Sequence, residues 1–304
     1  MRIQKKRMLS LFEALLVTFL WSTSYILIKI GLEEINPLAF AAYRYFIASL
    51  ILLFPLYHQL RKGRTGRFNL SRIVMFLSLG FTGYFIAQGF QFFGLFYLNL
   101  VIVTFILNLT PLFVLGLSVF FLNERPSRVQ LMGIMLTLFG VFIFFYDALA
   151  DVGMITGILI TLIGGAGWAL YLLLSRRYFV ENNESVITVT SISMLFGALM
   201  LIGATGFSGN IVNVSLNGWM IILWLSILNT AIAFFLWNRA LKTLKAIEAS
   251  ILQNTMLIQT ALLAFFFLQE PITAQKIIGM VIVFLGVLIV QLRGKKEKRK
   301  KVKI

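Results

Sequence analysis

The sequence predicts an all-α integral membrane protein, with ten transmembrane helices arranged as two inverted five-helix repeats. Three observations carry this prediction. Of the 304 residues, 60% are hydrophobic and only 12% charged, about half the charged share of a soluble domain. The apolar residues gather into ten windows, and a helix needs about 20 mostly apolar residues to cross a bilayer. The second half of the chain also repeats the first at a nearly constant offset. A mean hydropathy of +0.92 excludes a water-soluble globule, and the scarcity of charge excludes a disordered chain.

The windows fall at roughly 10–30, 37–57, 73–95, 100–122 and 128–146, then at 154–174, 186–206, 217–239, 247–268 and 275–292. The first follows a basic N-terminus, as a secretory signal would. No small-residue cleavage site follows it, so it is read as a retained span. Polar breaks separate the third window from the fourth at Tyr97-Leu98-Asn99, and the eighth from the ninth at Lys242-Thr243-Leu244-Lys245. Ser127 and Thr273 stand where N-caps of the fifth and tenth helices belong. Within those helices Gly133 and Gly140, and Gly279 and Gly286, lie seven residues apart, so each pair shares a face suited to close packing.

Charge sets the orientation. The chain carries 27 lysines and arginines against 11 acids, a net +16. With the N-terminus inside, every basic residue except Lys29, Lys276 and the in-span Arg44 falls in a cytoplasmic segment. Basic residues in short loops mark the cytoplasmic side. Both termini are therefore expected in the cytoplasm and the protein in the cytoplasmic membrane. The basic tail 294–304 is read as a topology anchor, the alternative being a patch for anionic lipid or nucleic acid.

A shift of 146 or 147 residues carries Trp21 onto Trp168, Leu95 and Leu98 onto Leu241 and Leu244, Thr104 onto Ser250, and Asn108 onto Asn254. It also carries Leu122-Asn123-Glu124 onto Leu268-Gln269-Glu270, and Ser127 onto Thr273. The chain thus divides into a first repeat, 1–147, and a second, 148–293, ahead of the tail. An odd number of spans per repeat turns the second upside down, with Glu124 inside and Glu270 outside. Two equivalent halves can then exchange roles, so that a central site opens to each face in turn.

In these features the chain resembles the drug/metabolite transporter superfamily, in its EamA-like permease branch. The resemblance rests on Trp21 with Ile28-Lys29-Ile30-Gly31-Leu32, on Asn36-Pro37 with Arg44, on Trp168-Ala169-Leu170-Tyr171 with Ser175-Arg176-Arg177, and on the two repeat ends. Ser191 stands where the first repeat has Arg44, and Lys276 where it has Gln130. The resemblance implies a permease that exports or exchanges a small metabolite or drug-like compound through a central cavity. It leaves the substrate open, since members handle amino acids, nucleotide-related compounds, vitamins and toxic cations.

Polar groups inside spans are costly unless they face the bundle interior or a wet cavity, which nominates the residues of a pathway. Tyr84, Gln88 and Gln91 recur at i, i+4 and i+7 on the third helix, as do Thr104, Asn108 and Pro111 on the fourth. Their repeat counterparts are Thr230, Phe234 and Trp237 on the eighth, with Ser250 and Asn254 on the ninth. These four helices are expected to line the cavity, with Asn108 and Asn254 facing across the pseudo-axis. The alternative is plain interhelical hydrogen bonding. Trp21 and Tyr25 on the first helix, and Trp168 and Tyr171 on the sixth, are further cavity candidates, the alternative being an interfacial aromatic belt. Arg44 sits about 10 Å into the second span at 1.5 Å per residue. Its guanidinium either holds an anionic substrate group or pairs with a helix C-terminal carbonyl, Glu33 or Glu34. Glu13, in the first span, either carries a coupling proton or pairs with a basic residue near the cytoplasmic surface.

Cysteine is absent and His58 is the single histidine, so no metal site, cofactor or catalytic residue is assigned. Gly206-Phe207-Ser208-Gly209 superficially resembles the serine motif of intramembrane proteases. That chemistry needs a base, and His58 is placed in a cytoplasmic 58–72 loop. Asp147 and Asp151 share one short outer loop, which argues against a paired-aspartate protease. A channel or a non-transporting scaffold is the chief rival to a carrier. The expected partners are a small-molecule substrate and the lipid bilayer, not nucleic acid; a homodimer is left open.

Overall fold

The computed structural model describes residues 2–62, 69–122, 127–146, 152–182, 184–209, 213–244, 249, 252–253, 255–270 and 272–301. Among them every regular element is helical. In chain order these are α1 (Arg2–Gly31), α2 (Pro37–Arg61), α3 (Leu70–Tyr97), α4 (Leu100–Leu107), α5 (Thr110–Leu122), α6 (Arg128–Phe145), α7 (Val152–Glu181), α8 (Val186–Phe207), α9 (Leu216–Leu241), α10 (Thr255–Leu268) and α11 (Ala274–Lys301). Of the ten predicted windows, seven hold a described stretch long and apolar enough to cross a membrane, the fourth of them, Leu100–Leu117, counted across a break between two helices. The other three hold the shorter apolar stretches Leu131–Phe145, Thr255–Leu268 and Ala274–Ile289.

Helices outrun the apolar windows because Lys, Arg and Gln are themselves good helix formers. α2 runs to Arg61, which places His58 in its last turn rather than in a loop. α11 continues to Lys301, so the basic tail extends a helix.

The fourth window is broken, where a continuous helix over 100–122 was expected. α4 ends at Leu107 and α5 starts at Thr110. Pro111 is the cause: it offers no N–H to the Leu107 carbonyl, and its ring crowds that group. The Thr110 hydroxyl donates to Leu107 O in its place. Asn108 closes the break, its backbone N–H and side-chain Nδ2 both donating to Thr104 O, at 3.0 and 2.7 Å.

α3 and α9 each contain a π-helical stretch, Phe81–Ile86 and Ile227–Ile232. The two begin 146 positions apart, at equivalent places in the repeats. Packing follows the same equivalence. α2 lies against α8 and α6 against α11, each helix on its own counterpart, while α1 packs on α9 and α10 as α7 packs on α3, α4 and α5. The α6–α11 contact is close at its glycines. A Cβ on Gly286 would stand 2.7 Å from Thr137 N and 2.9 Å from Gly133 O, so only hydrogen fits there.

Charges at equivalent positions tie helix ends. Lys29 Nζ donates to Leu95 O (2.7 Å) and Leu98 O (2.9 Å) at the end of α3. Its counterpart Arg176 donates from Nη1 to Leu241 O (2.6 Å) and Lys242 O (3.1 Å) at the end of α9. The last carbonyls of a helix lack an intrahelical donor, and a cation suits that end of the dipole. Lys29, an exception to the charge asymmetry, is thus a cap. Glu270 serves a helix start: its two oxygens accept from Leu100 N and Val101 N of α4, at 2.8 and 3.2 Å.

Candidate functional site

α1, α2, α3, α7 and α9 converge with Leu107 of α4 and Met256 of α10 around a central cavity. The space between its wall atoms is about 460 Å³, but only about 30 Å³ of it is wide enough for the centre of a water molecule. It is a seam between packed rings, with room for a water or two. The repeat-equivalent Trp21 and Trp168 meet edge to face there, centroids 5.6 Å apart. Phe234 packs on both, at 5.3 and 6.0 Å.

Polar groups interrupt the rings in pairs. Tyr45 Oη donates to Gln88 Oε1 at 2.7 Å and Tyr25 Oη to Gln91 Oε1 at 3.3 Å. Trp168 Nε1 donates to Gln253 Oε1 at 3.0 Å.

Arg44 reaches this wall from α2 and is only 2% exposed. Its Nε donates to Thr230 Oγ1 (2.6 Å) and its Nη2 to Asn229 O (3.2 Å), both in the π-helical stretch of α9. The rings of Tyr45 and Phe92 lie 5.4 and 5.8 Å from its guanidinium carbon. Nη1 has no partner among the described residues. The expected pairing with a helix-terminal carbonyl, Glu33 or Glu34 does not form. Arg44 uses a carbonyl in mid-helix instead, at the point where the π turn interrupts the regular ladder. Glu34 turns to Ser215, accepting from its Oγ at 2.7 Å. The backbone N–H and hydroxyl of Ser215 hold the Glu34 carboxyl below its ordinary range.

Seven residues nominated from the sequence line the cavity: Trp21, Tyr25, Arg44, Gln88, Gln91, Trp168 and Phe234. Tyr84, Tyr171 and Trp237 are fully buried behind that wall. The Tyr84 and Tyr171 hydroxyls are 3.1 Å apart, Tyr171 continues to Asn238, and Trp237 packs on Trp21 with centroids 5.0 Å apart. The π stretch of α3 ends at Ile86, between Tyr84 and Gln88, so these two do not share the face that a plain i, i+4 count assigns them. Thr104 belongs to the α4–α10 contact, 3.2 Å from the Thr260 hydroxyl, and Asn108 to the break in the fourth span. Ser250 and Asn254 lie outside the described residues, and with them the expected facing of Asn108 and Asn254. Glu13 does not line the cavity. Arg239 takes both its oxygens, Nη2 to Oε1 at 2.6 Å and Nε to Oε2 at 3.0 Å. The wall also contains Ser24, Tyr45 and Gln253, which no sequence argument had singled out.

Residues 8–146 and 155–292 each match the EamA-like transporter family, so its unit occurs twice over nearly the whole length. The chain belongs to the EamA family. This EamA protein is 27% identical over 271 residues to YyaM of Bacillus subtilis, an uncharacterized transporter, covering 86% of this chain and 87% of that one. It is 22% identical to a Salmonella typhimurium protein described as a probable amino-acid metabolite efflux pump, covering 91% of this chain and 93% of that one. An Escherichia coli protein of the same description is 23% identical, covering 91% of this chain and 92% of that one. A solved crystal structure shares the fold, with a TM-score of 0.67 at 17% identity, covering 96% of this chain and 98% of that chain. The protein is a multi-pass membrane transporter of two EamA repeats, and these relatives are named for transport.

Proposed function

We propose that this EamA protein is a secondary transporter that moves a small metabolite or drug-like compound across the cytoplasmic membrane by alternating access around the central cavity. The contact between repeat-equivalent Trp21 and Trp168 on the cavity wall carries this reading. A site at the repeat interface is what an inverted-repeat carrier needs. On this reading the chain crosses the membrane ten times, repeats 1–147 and 148–293 point opposite ways, and both termini, with the tail 294–304, are cytoplasmic. It catalyses no covalent step. Trp21, Tyr25, Arg44, Gln88, Gln91 and Trp168 contact substrate, and Tyr84, Tyr171 and Trp237 brace them from behind. The narrow seam is the resting, occluded conformation, closed at the outer end by Lys29 and Glu270 and at the inner end by Arg176. Substrate enters when the rings part. The two relatives described as amino-acid metabolite pumps support a small organic substrate.

Purified protein in liposomes tests the mechanism. Uptake should saturate and should accelerate when the same compound fills the far side. Flux that rises linearly with concentration, without trans-acceleration, would mark a channel. The cysteine-free chain allows a direct test of sidedness through the exposed positions Asn182 and Asn213. An impermeant maleimide should label Asn213→Cys on intact cells and Asn182→Cys only after lysis. The reverse pattern would invert the topology.

A further inference from the structure

The cavity wall is one-sided in its hydrogen-bonding chemistry. An indole N–H can only donate, so Trp168 obliges Gln253 to present its oxygen and leaves the amide nitrogen without a partner among the described residues. Gln88 and Gln91 are set in the same way, each giving its oxygen to a tyrosine hydroxyl and keeping an NH₂ with no partner among the described residues. Arg44 adds Nη1, buried and unpartnered, on a guanidinium that is always charged. Four residues that carry these donors line one space, and among the described residues no carboxylate lines it. A buried charge without a counter-charge is strongly unfavourable, and among the described residues no counter-charge lines this space.

Building on the transport reading above, we infer that the cavity takes a small organic anion. Its carboxylate is received by Arg44 and the glutamine amides, and it is joined to a flat apolar body that slots between Trp21, Trp168 and Phe234. An ionised carboxylate is acceptor-only and matches the parallel N–H groups of a guanidinium. An aromatic enclosure alone would suit an organic cation equally well. The uncompensated charge of Arg44 decides for the anion.

Three probes with one body separate the cases: 3-phenylpropionate, 3-phenylpropionamide and 3-phenylpropylamine. Each is titrated onto the full chain in lipid nanodiscs while the tryptophan fluorescence is read. The carboxylate should bind at least tenfold tighter than the amide, with the amine weakest. Gln88→Glu is isosteric and still accepts from Tyr45. It should erase at least tenfold of that preference while thermal unfolding shows the protein folded. Arg44→Gln should do the same where it folds. Equal or tighter binding of the amine, no binding of any probe, or an unchanged preference in folded Gln88→Glu overturns the inference. The transport reading fails separately. Binding in the expected order without counterflow removes transport and keeps the anion site. Saturable counterflow of a neutral or cationic compound, unaffected by the carboxylate, keeps transport and removes the anion.

Discussion

Replacing Lys29 by methionine, and separately Arg176 by methionine, should push the conformational balance of the transporter in opposite directions. Lys29 ties α1 to the free carbonyls ending α3, and Arg176 ties α7 to those ending α9. Methionine keeps an apolar stem and removes the donors. A hydrogen bond from a charged group contributes about 1.5–3 kcal/mol. Both side chains are half-buried and regain water once the contact opens. The two bonds of each tie therefore count together as about 2 kcal/mol. With the tie made only while that end is closed, its loss raises the share of conformers open there about 30-fold. On the proposed topology Lys29 guards the outer end and Arg176 the inner. Ser24→Cys is the reporter, since Ser24 is on the cavity wall and 3% exposed. An impermeant thiol reagent applied outside should react faster in the Lys29→Met background and slower in Arg176→Met; inside-out vesicles should reverse the order. If both substitutions speed labelling from the same side, or neither changes it, the reasoning is refuted.

The Glu13–Arg239 pair should behave as one unit, because both carboxylate oxygens are held and Glu13 is only 4% exposed. Glu13→Gln or Arg239→Met alone should cost about 1–3 kcal/mol, and the double variant less than their sum. Additive losses in a double-mutant cycle of thermal unfolding would show the two to be independent. Gly286→Ala puts a Cβ 2.7 Å from Thr137 N and should cost about 1–3 kcal/mol by forcing α6 and α11 apart. Gly203→Ala in α8 meets nothing within 4 Å and should instead stabilise by up to about 1 kcal/mol. Unfolding temperatures measured in one detergent decide both. Ser215 holds the exposed Glu34 carboxyl low, so this contact stabilises the fold above the ordinary carboxylate pKa and is lost as pH falls through the lowered folded value. Stability should therefore fall less steeply in acid for Glu34→Gln than for the parent, and parallel curves would contradict the assignment.

Hydropathy makes the helices legible because a backbone in lipid must satisfy its own hydrogen bonds. The repeat offset reaches further. It relates residues that meet or match in space: Trp21 on Trp168, Lys29 with Arg176, and the two π-helical stretches. No residue type marks a π turn, however, and this is where face-by-face counting fails. The turn in α3 moves Tyr84 behind the wall, and the turn in α9 gives Arg44 a carbonyl 185 residues away. Pro111 was visible and does break the fourth span, but its effect on Asn108 depends on the Thr104 carbonyl that Asn108 caps. Gln253 was readable as an in-span amide. The repeat offset favoured its neighbour Asn254, about 100° further round a helix of 3.6 residues per turn. Ser24 gives no such signal, because helical hydroxyls commonly satisfy themselves on the preceding turn, as Ser22 does on Thr18 O at 2.8 Å.

The uncompensated guanidinium at the waist of the molecule also bears on what the protein does when idle. An ion falling through a membrane potential releases about 2.3 kcal/mol per charge for each 100 mV, so a continuous water column here would short-circuit the cell. On the proposed pathway, protons and sodium ions would meet a like charge in a low-dielectric bottleneck, where repulsion is strong. Anions meet rings with room for little more than water. On the proposed mechanism the resting protein is an insulator, and a membrane crowded with copies of it should hold its voltage.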